Sequence, residues 1–147
     1  MIERDLALEL KAINQRIGNI MQLRLDKCGL SLGLLYLMHM IENNPDTNQK
    51  QLAGEMRLTQ GAMSISIKKL MELGMVDKEP LEEDLRHHRL VLTDKGKKVI
   101  DDYEKYLEEI IKDIFTGFTL EELKKFSEFT SRINDNLKNI MKKVSKE

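Results

Sequence analysis

The stretch from Leu58 to Gly96 constrains this chain more than any other, because helix, stop, strand, charged turn and strand follow one another with almost no slack. Thr59 stands where a hydroxyl caps a helix through Gln60-Gly61-Ala62-Met63-Ser64-Ile65-Ser66-Ile67-Lys68-Lys69-Leu70, and Gly74 stands where a left-handed residue stops one. Met75 to Glu79 reads as a strand ending before Pro80, and Arg89 to Thr93 reads as its partner, with Leu90 and Leu92 on one face. Between them Leu81 to His88 carries six charged or histidine side chains, more than a turn requires.

Upstream, Thr47 is expected to cap a short third helix running to about Met56 and burying Leu52 and Ala53. Only Arg57 and Leu58 separate it from the helix capped by Thr59, which forces the large crossing angle of a helix-turn-helix. Within the fourth helix Leu58, Met63, Ile67, Leu70 and Leu73 are expected to face the core. Gln60, Gly61, Ser64, Ile65 and Lys68 fall on the opposite side, the groove-facing set if this is a recognition helix. A helix of that size trailed by a basic-tipped hairpin is the outline of a winged helix-turn-helix, and the ligand of such an outline is duplex DNA.

The rest of the chain is helical. Leu6, Leu10, Ile13, Ile17 and Ile20 recur at helical spacing, giving an amphipathic first helix that ends near Lys27 to Leu30, where Gly29 supplies the stop. Ser31 caps a second helix in which, from Leu32 to Ile41, only Gly33 and His39 are not apolar, so it belongs at the centre of the core. After Thr93, a further cap, Val99, Tyr103, Tyr106, Ile110 and Ile114 mark a long fifth helix. Thr119 and Glu122 then form a T-x-x-E capping box that opens a sixth, whose stripe is Leu123, Phe126, Thr130, Ile133, Leu137, Ile140 and Val144. The first and last helices carry more apolar stripe than one subunit can cover, and a second copy of the chain is the expected cover. The fold class expected is therefore mainly α with a small β-hairpin wing. Residues 1–30 and 97–147 act chiefly as dimerisation helices, and residues 31–96 hold the core helix and the DNA-binding lobe.

Composition bears on partners and compartment. The 147 residues suit one domain, with 41% hydrophobic and 33% charged residues and two prolines. A single cysteine, Cys28, excludes an internal disulfide framework, and the charged amino terminus shows neither a signal peptide nor a membrane span, so a cytoplasmic protein is expected. The net charge of -1 is modest for a DNA binder, yet residues 47–98 carry ten Lys and Arg against eight Asp and Glu, a local excess of +2.

The element order, together with Gln51-Leu52-Ala53, Leu70 through Val76 with Gly74, the pair Asp84 and Arg86, and Leu92-Thr93 with Gly96, resembles the multiple-antibiotic-resistance regulator (MarR) family over nearly the whole chain. The resemblance implies a homodimer gripping a palindromic operator, usually as a repressor, with Arg86 as the wing finger in the minor groove and Asp84 as the acid that orients it. It also implies release by a small aromatic or acidic effector, held between the first, second and fifth helices near His39, or by an oxidant acting on Cys28. Many relatives carry Arg where Ile65 stands, and the wing here opens with the acidic Glu82 and Glu83, so base readout is expected to be modest.

Each residue also has a plainer reading. Arg86 and Asp84 could form a surface pair worth about 0–1 kcal/mol, and Gln60, Ser64 and Lys68 an ordinary solvated face. Thr47 and Thr59 are caps first, although helix-start N–H groups also hold phosphate oxygens. His87 and His88 are adjacent, so their rings diverge and chelate no common metal; their use would be as donors to phosphate. His39 reads more readily as a core histidine than as a ligand contact, and Cys28 as an inert core thiol or a sensor. No cofactor, metal or catalytic constellation is visible: G-x-x-x-x-G-K-[ST], G-x-S-x-G and H-E-x-x-H are all missing. The rival to a DNA-binding regulator is a winged-helix module that binds another protein.

Overall fold

The computed structural model describes residues 1–81 and 84–146. Its order is α1 (Ile2–Asp26), α2 (Leu32–Asn43), α3 (Gln49–Glu55), α4 (Gln60–Glu72), β1 (Val76–Leu81), β2 (Asp84–Leu92), α5 (Asp94–Ile114) and α6 (Leu120–Val144). This is a winged helix-turn-helix, and it comprises two compact units, Met1–Glu108 and Glu109–Glu147.

In the first unit, the end of α1 is a left-handed stop. Gly29 sits at φ 72°, and Leu30 N–H donates back to the Leu25 carbonyl at 3.1 Å. Two residues later the Ser31 hydroxyl accepts from Leu34 N–H at 3.1 Å and starts α2, as expected. That helix drives Leu34, Leu35, Leu37, Met38 and Ile41 into a core shared with Leu25, Leu52, Met63, Ile67, Leu70, Val76, Leu90, Leu92, Ile100 and Tyr103.

Three local expectations are corrected. Asn48, not Thr47, caps α3: its side-chain oxygen accepts from Gln51 N–H at 2.9 Å, and Gln51 answers by accepting from Asn48 N–H at 3.1 Å. Thr47 instead donates its own N–H to the Asn44 carbonyl, closing the turn after α2, so the first orphan donors of α3 fall one residue later. Leu58 lies in the turn ahead of α4 and is 38% exposed rather than core-facing. The hairpin ladder is also longer than its apolar pattern suggests. Pro80 pairs with His88 and Leu81 with Asp84, so residues expected in a turn belong to strands. A two-stranded sheet consists only of edges, and an edge tolerates a proline that donates nothing to the ladder.

In the second unit, α5 finishes at Ile114 and Gly117, at φ 88°, turns the chain. Thr119 and Glu122 form the expected capping box, Thr119 Oγ1 accepting at 3.2 Å and the Glu122 carboxylate at 2.8 Å. Across all 25 residues of α6 no side chain is buried, although the helix carries a full apolar stripe. Among the described residues no helix is long and apolar enough to cross a membrane.

Candidate nucleic-acid interface

The turn between α3 and α4 is built from backbone. Leu58 N–H donates to the Ala53 carbonyl at 2.9 Å, and Arg57 takes φ 54°, the left-handed conformation that only a tight reversal demands of a non-glycine residue. Thr59 then caps α4, its Oγ1 accepting from Ala62 N–H at 3.1 Å. Met63, Ile67 and Leu70 are buried at spacings of four and three, which fixes the rotation of the helix about its axis.

That rotation leaves Gln60, Gly61, Ser64, Ile65 and Lys68 exposed together, with Ile65 at 72%. An isoleucine so exposed on a polar face offers a methyl surface of the kind that meets thymine methyl groups in a major groove. One contact on this face was not legible from spacing: the Gln49 side-chain amide donates to Ser64 Oγ at 2.7 Å, tying the start of α3 to the outer face of α4.

The wing follows from Gly74, at φ 73°. Thr93 Oγ1 donates to the Gly74 carbonyl at 2.6 Å and accepts from Gly96 N–H at 3.0 Å, so one hydroxyl joins the end of α4 to the first turn of α5. Val76 pairs with Leu92 and Lys78 with Leu90 on the inward face; Glu79 and Arg89 pair on the outward face, with a 3.0 Å salt bridge between them. His88 is exposed opposite Pro80. The backbone of Asp84, Arg86 and His87 lies in β2, while their side chains lie outside the described residues.

Cys28 is half-buried and lines a small cavity of about 70 Å³ with Arg24, Leu25, Val99, Asp102 and Tyr103, whereas His39 is absent from that lining. The Tyr103 hydroxyl is buried without a hydrogen-bond partner. Burial, and secondarily the neighbouring Tyr106, holds its ionisation above the ordinary tyrosine range. Arg24 stacks its guanidinium 5.1 Å from the Tyr106 ring centre. Among the described residues no group of three His, Cys, Asp or Glu side chains is placed to hold a metal ion.

Residues 30–88 match the model of the MarR family. BilQ, an HTH-type transcriptional regulator of Clostridium symbiosum (strain WAL-14163), is 38% identical over 77 residues, which are 52% of this chain and 54% of BilQ. The chain thus spans about half the length of that relative. YybA of Bacillus subtilis (strain 168), named as an uncharacterized HTH-type transcriptional regulator, is 29% identical over 143 residues, 97% of this chain and 95% of YybA. The S. aureus MepR-DNA complex superposes with a TM-score of 0.78 at 14% identity, covering 86% of this chain and 96% of that one, a likeness of fold.

Proposed function

Since residues 30–88 are a MarR family domain, we propose that this chain is a homodimeric, sequence-specific DNA-binding transcriptional regulator, acting in the cytoplasm as a repressor. The observation that carries the reading is the division of α4. Its inner face is locked into the core by Met63, Ile67 and Leu70, and its outer face presents Gln60, Gly61, Ser64, Ile65 and Lys68 to solvent as one set. A relative of the same fold, MepR, has been solved bound to DNA.

In this reading each copy lays α4 in a major groove, while Arg86, oriented by Asp84, reaches the adjacent minor groove, where narrow geometry concentrates negative potential. In the same reading the Thr47 hydroxyl and the imidazoles of His87 and His88 act as donors to phosphate. Two-fold symmetry requires a palindromic operator with half-sites about 34–36 Å apart, one helical turn. Support for the second copy comes from the apolar side chains left uncovered on α1, among them Leu6 and Ile13, and on α6, among them Phe126, Leu137 and Ile140.

An effector would enter beside Cys28, at the small cavity that Arg24 and Tyr103 also line, where a cationic and an aromatic side chain suit a small aromatic or acidic molecule. His39 does not line that cavity. An oxidant acting on Cys28 is the alternative release signal, and Cys28→Ser would then abolish release by oxidant.

The testing experiment is titration of the chain with its own upstream duplex and with a scrambled duplex at several salt concentrations. Preference for the upstream duplex and a steep fall of affinity with salt are expected, and Arg86→Ala should weaken binding without moving the melting temperature. The near-neutral charge of the chain favours a second reading, a winged-helix module that binds another protein. Indifference to every duplex at low salt would select it.

A further inference from the structure

Lys78 occupies a register position that the core pattern would give to an apolar residue. It follows Val76 by two along β1 and pairs with Leu90, so it lies on the face where Val76, Leu90 and Leu92 are buried. Nevertheless it is exposed. Its side chain lines an open notch between β1 and α4, together with Lys68.

The floor of the notch is Ile67 and Met71, and its walls carry Gln49, Ser64, Lys68, Glu72 and Lys78. The Gln49 amide donates one proton to Ser64 Oγ, which uses an acceptor site of that hydroxyl and leaves its proton, and the second amide proton, to point elsewhere. Two ammonium groups and two neutral donors thus line one concavity, against a single carboxylate. Such a set wants an anion with several acceptor oxygens, and a helix lying in a major groove is flanked by phosphodiesters.

Resting on the DNA reading above, we propose that this notch seats a backbone phosphate of the bound duplex. Lys68 and Lys78 are its counter-charges, and Gln49 is a positioning residue that holds the Ser64 hydroxyl as donor. The contact carries no sequence information. It sets how deeply α4 sits in the groove and supplies affinity to any duplex equally.

The test measures binding of the full chain to its operator and to a scrambled duplex between about 50 and 200 mM salt. Lys68→Ala and Lys78→Ala should each lower affinity by the same factor on both duplexes and each reduce the slope of log affinity on log salt by about one. Gln49→Ala should weaken both duplexes with the slope unchanged, because no counterion is involved. Glu72→Gln should tighten both. All four side chains reach the surface, so melting temperatures should stay near wild type and report that folding is intact. A wild-type slope in the Lys68→Ala/Lys78→Ala double variant, a loss confined to the operator, or indifference of Glu72→Gln would overturn the seat while leaving the DNA reading standing. Absence of salt-dependent duplex binding by the wild-type chain would remove both.

Discussion

The Cα of Gly96, in the first turn of α5, lies so close to the Met75 carbonyl that any Cβ at this position would overlap the oxygen and press on the Met75 backbone. The approach is tight because Thr93 N–H donates to that same carbonyl at 3.0 Å while the Thr93 hydroxyl bridges Gly74 and Gly96. The end of α4, the start of β1 and α5 therefore meet at one backbone junction with no room for a side chain.

Gly96→Ala is expected to destabilise the fold by about 1–3 kcal/mol, the range for forcing a methyl into packed surroundings. Urea denaturation followed by circular dichroism measures it. Gly54→Ala is the matched control: a Cβ there meets nothing within 4 Å, so the variant should be stabilised by about 0.5–1 kcal/mol through helix propensity. Equal behaviour of the two variants would remove the junction as a constraint.

The cap of α3 gives a second comparison between neighbours. Asn48→Ala removes the acceptor for Gln51 N–H and should cost about 0.5–2 kcal/mol, while Thr47→Ala should change stability by only a few tenths. The same denaturation curves decide it, and a larger loss at Thr47 would restore it as the cap.

Tyr103 makes stability depend on alkaline pH. Its hydroxyl ionises at higher pH in the folded chain than in the unfolded one, chiefly because burial penalises the phenolate and secondarily because of Tyr106. The folded state therefore keeps its proton longer. The contribution is complete below the unfolded tyrosine pKa of about 10 and is lost as pH climbs from there through the raised folded value. Tyr103→Phe should abolish this decline and, by deleting a buried hydroxyl with no partner, be neutral or stabilising near pH 7. Denaturation midpoints collected across the alkaline range test both parts.

What was legible in the sequence was whatever repeats along it. The spacing of Met63, Ile67 and Leu70 shows which side of α4 is buried and therefore which side is offered outward; Ser31, Thr59 and Thr119 declare helix starts by their chemistry. Contacts between elements left no such trace. Gln49 and Ser64 are 15 positions apart, and nothing periodic joins them. Thr47 and Asn48 are adjacent cap residues, and the box of Asn48 with Gln51 together with the turn closed at Asn44 decides between them. The wing outran its apolar pattern because Pro80 and the polar residues of β2 pair through backbone groups, which hydrophobic alternation does not record. Nor does any periodicity announce that Cys28 and Tyr103, 75 positions apart, line one small cavity.

The uncovered stripe of α6 leads to the prediction on which the proposed two-fold operator depends. Leu137 and Ile140 are each about half exposed, with Phe126, Ile133 and Val144 in line with them, on a helix that buries no side chain within its own unit. Apolar surface of that length gains most by meeting its own copy, because a two-fold contact covers both stripes at once. Ile140→Glu should place a carboxylate in that contact and shift the chain to monomer at micromolar concentration, as read by sedimentation equilibrium. Affinity for a two-half-site duplex should fall with it, because the second reading head no longer binds as part of the same particle. Glu128→Lys, on the opposite side of the same helix and also exposed, should leave the self-association of the wild-type chain unchanged. A wild-type chain that sediments as a monomer, or an Ile140→Glu variant that sediments as a dimer, would separate the apolar stripe from assembly and leave the palindrome without its structural cause.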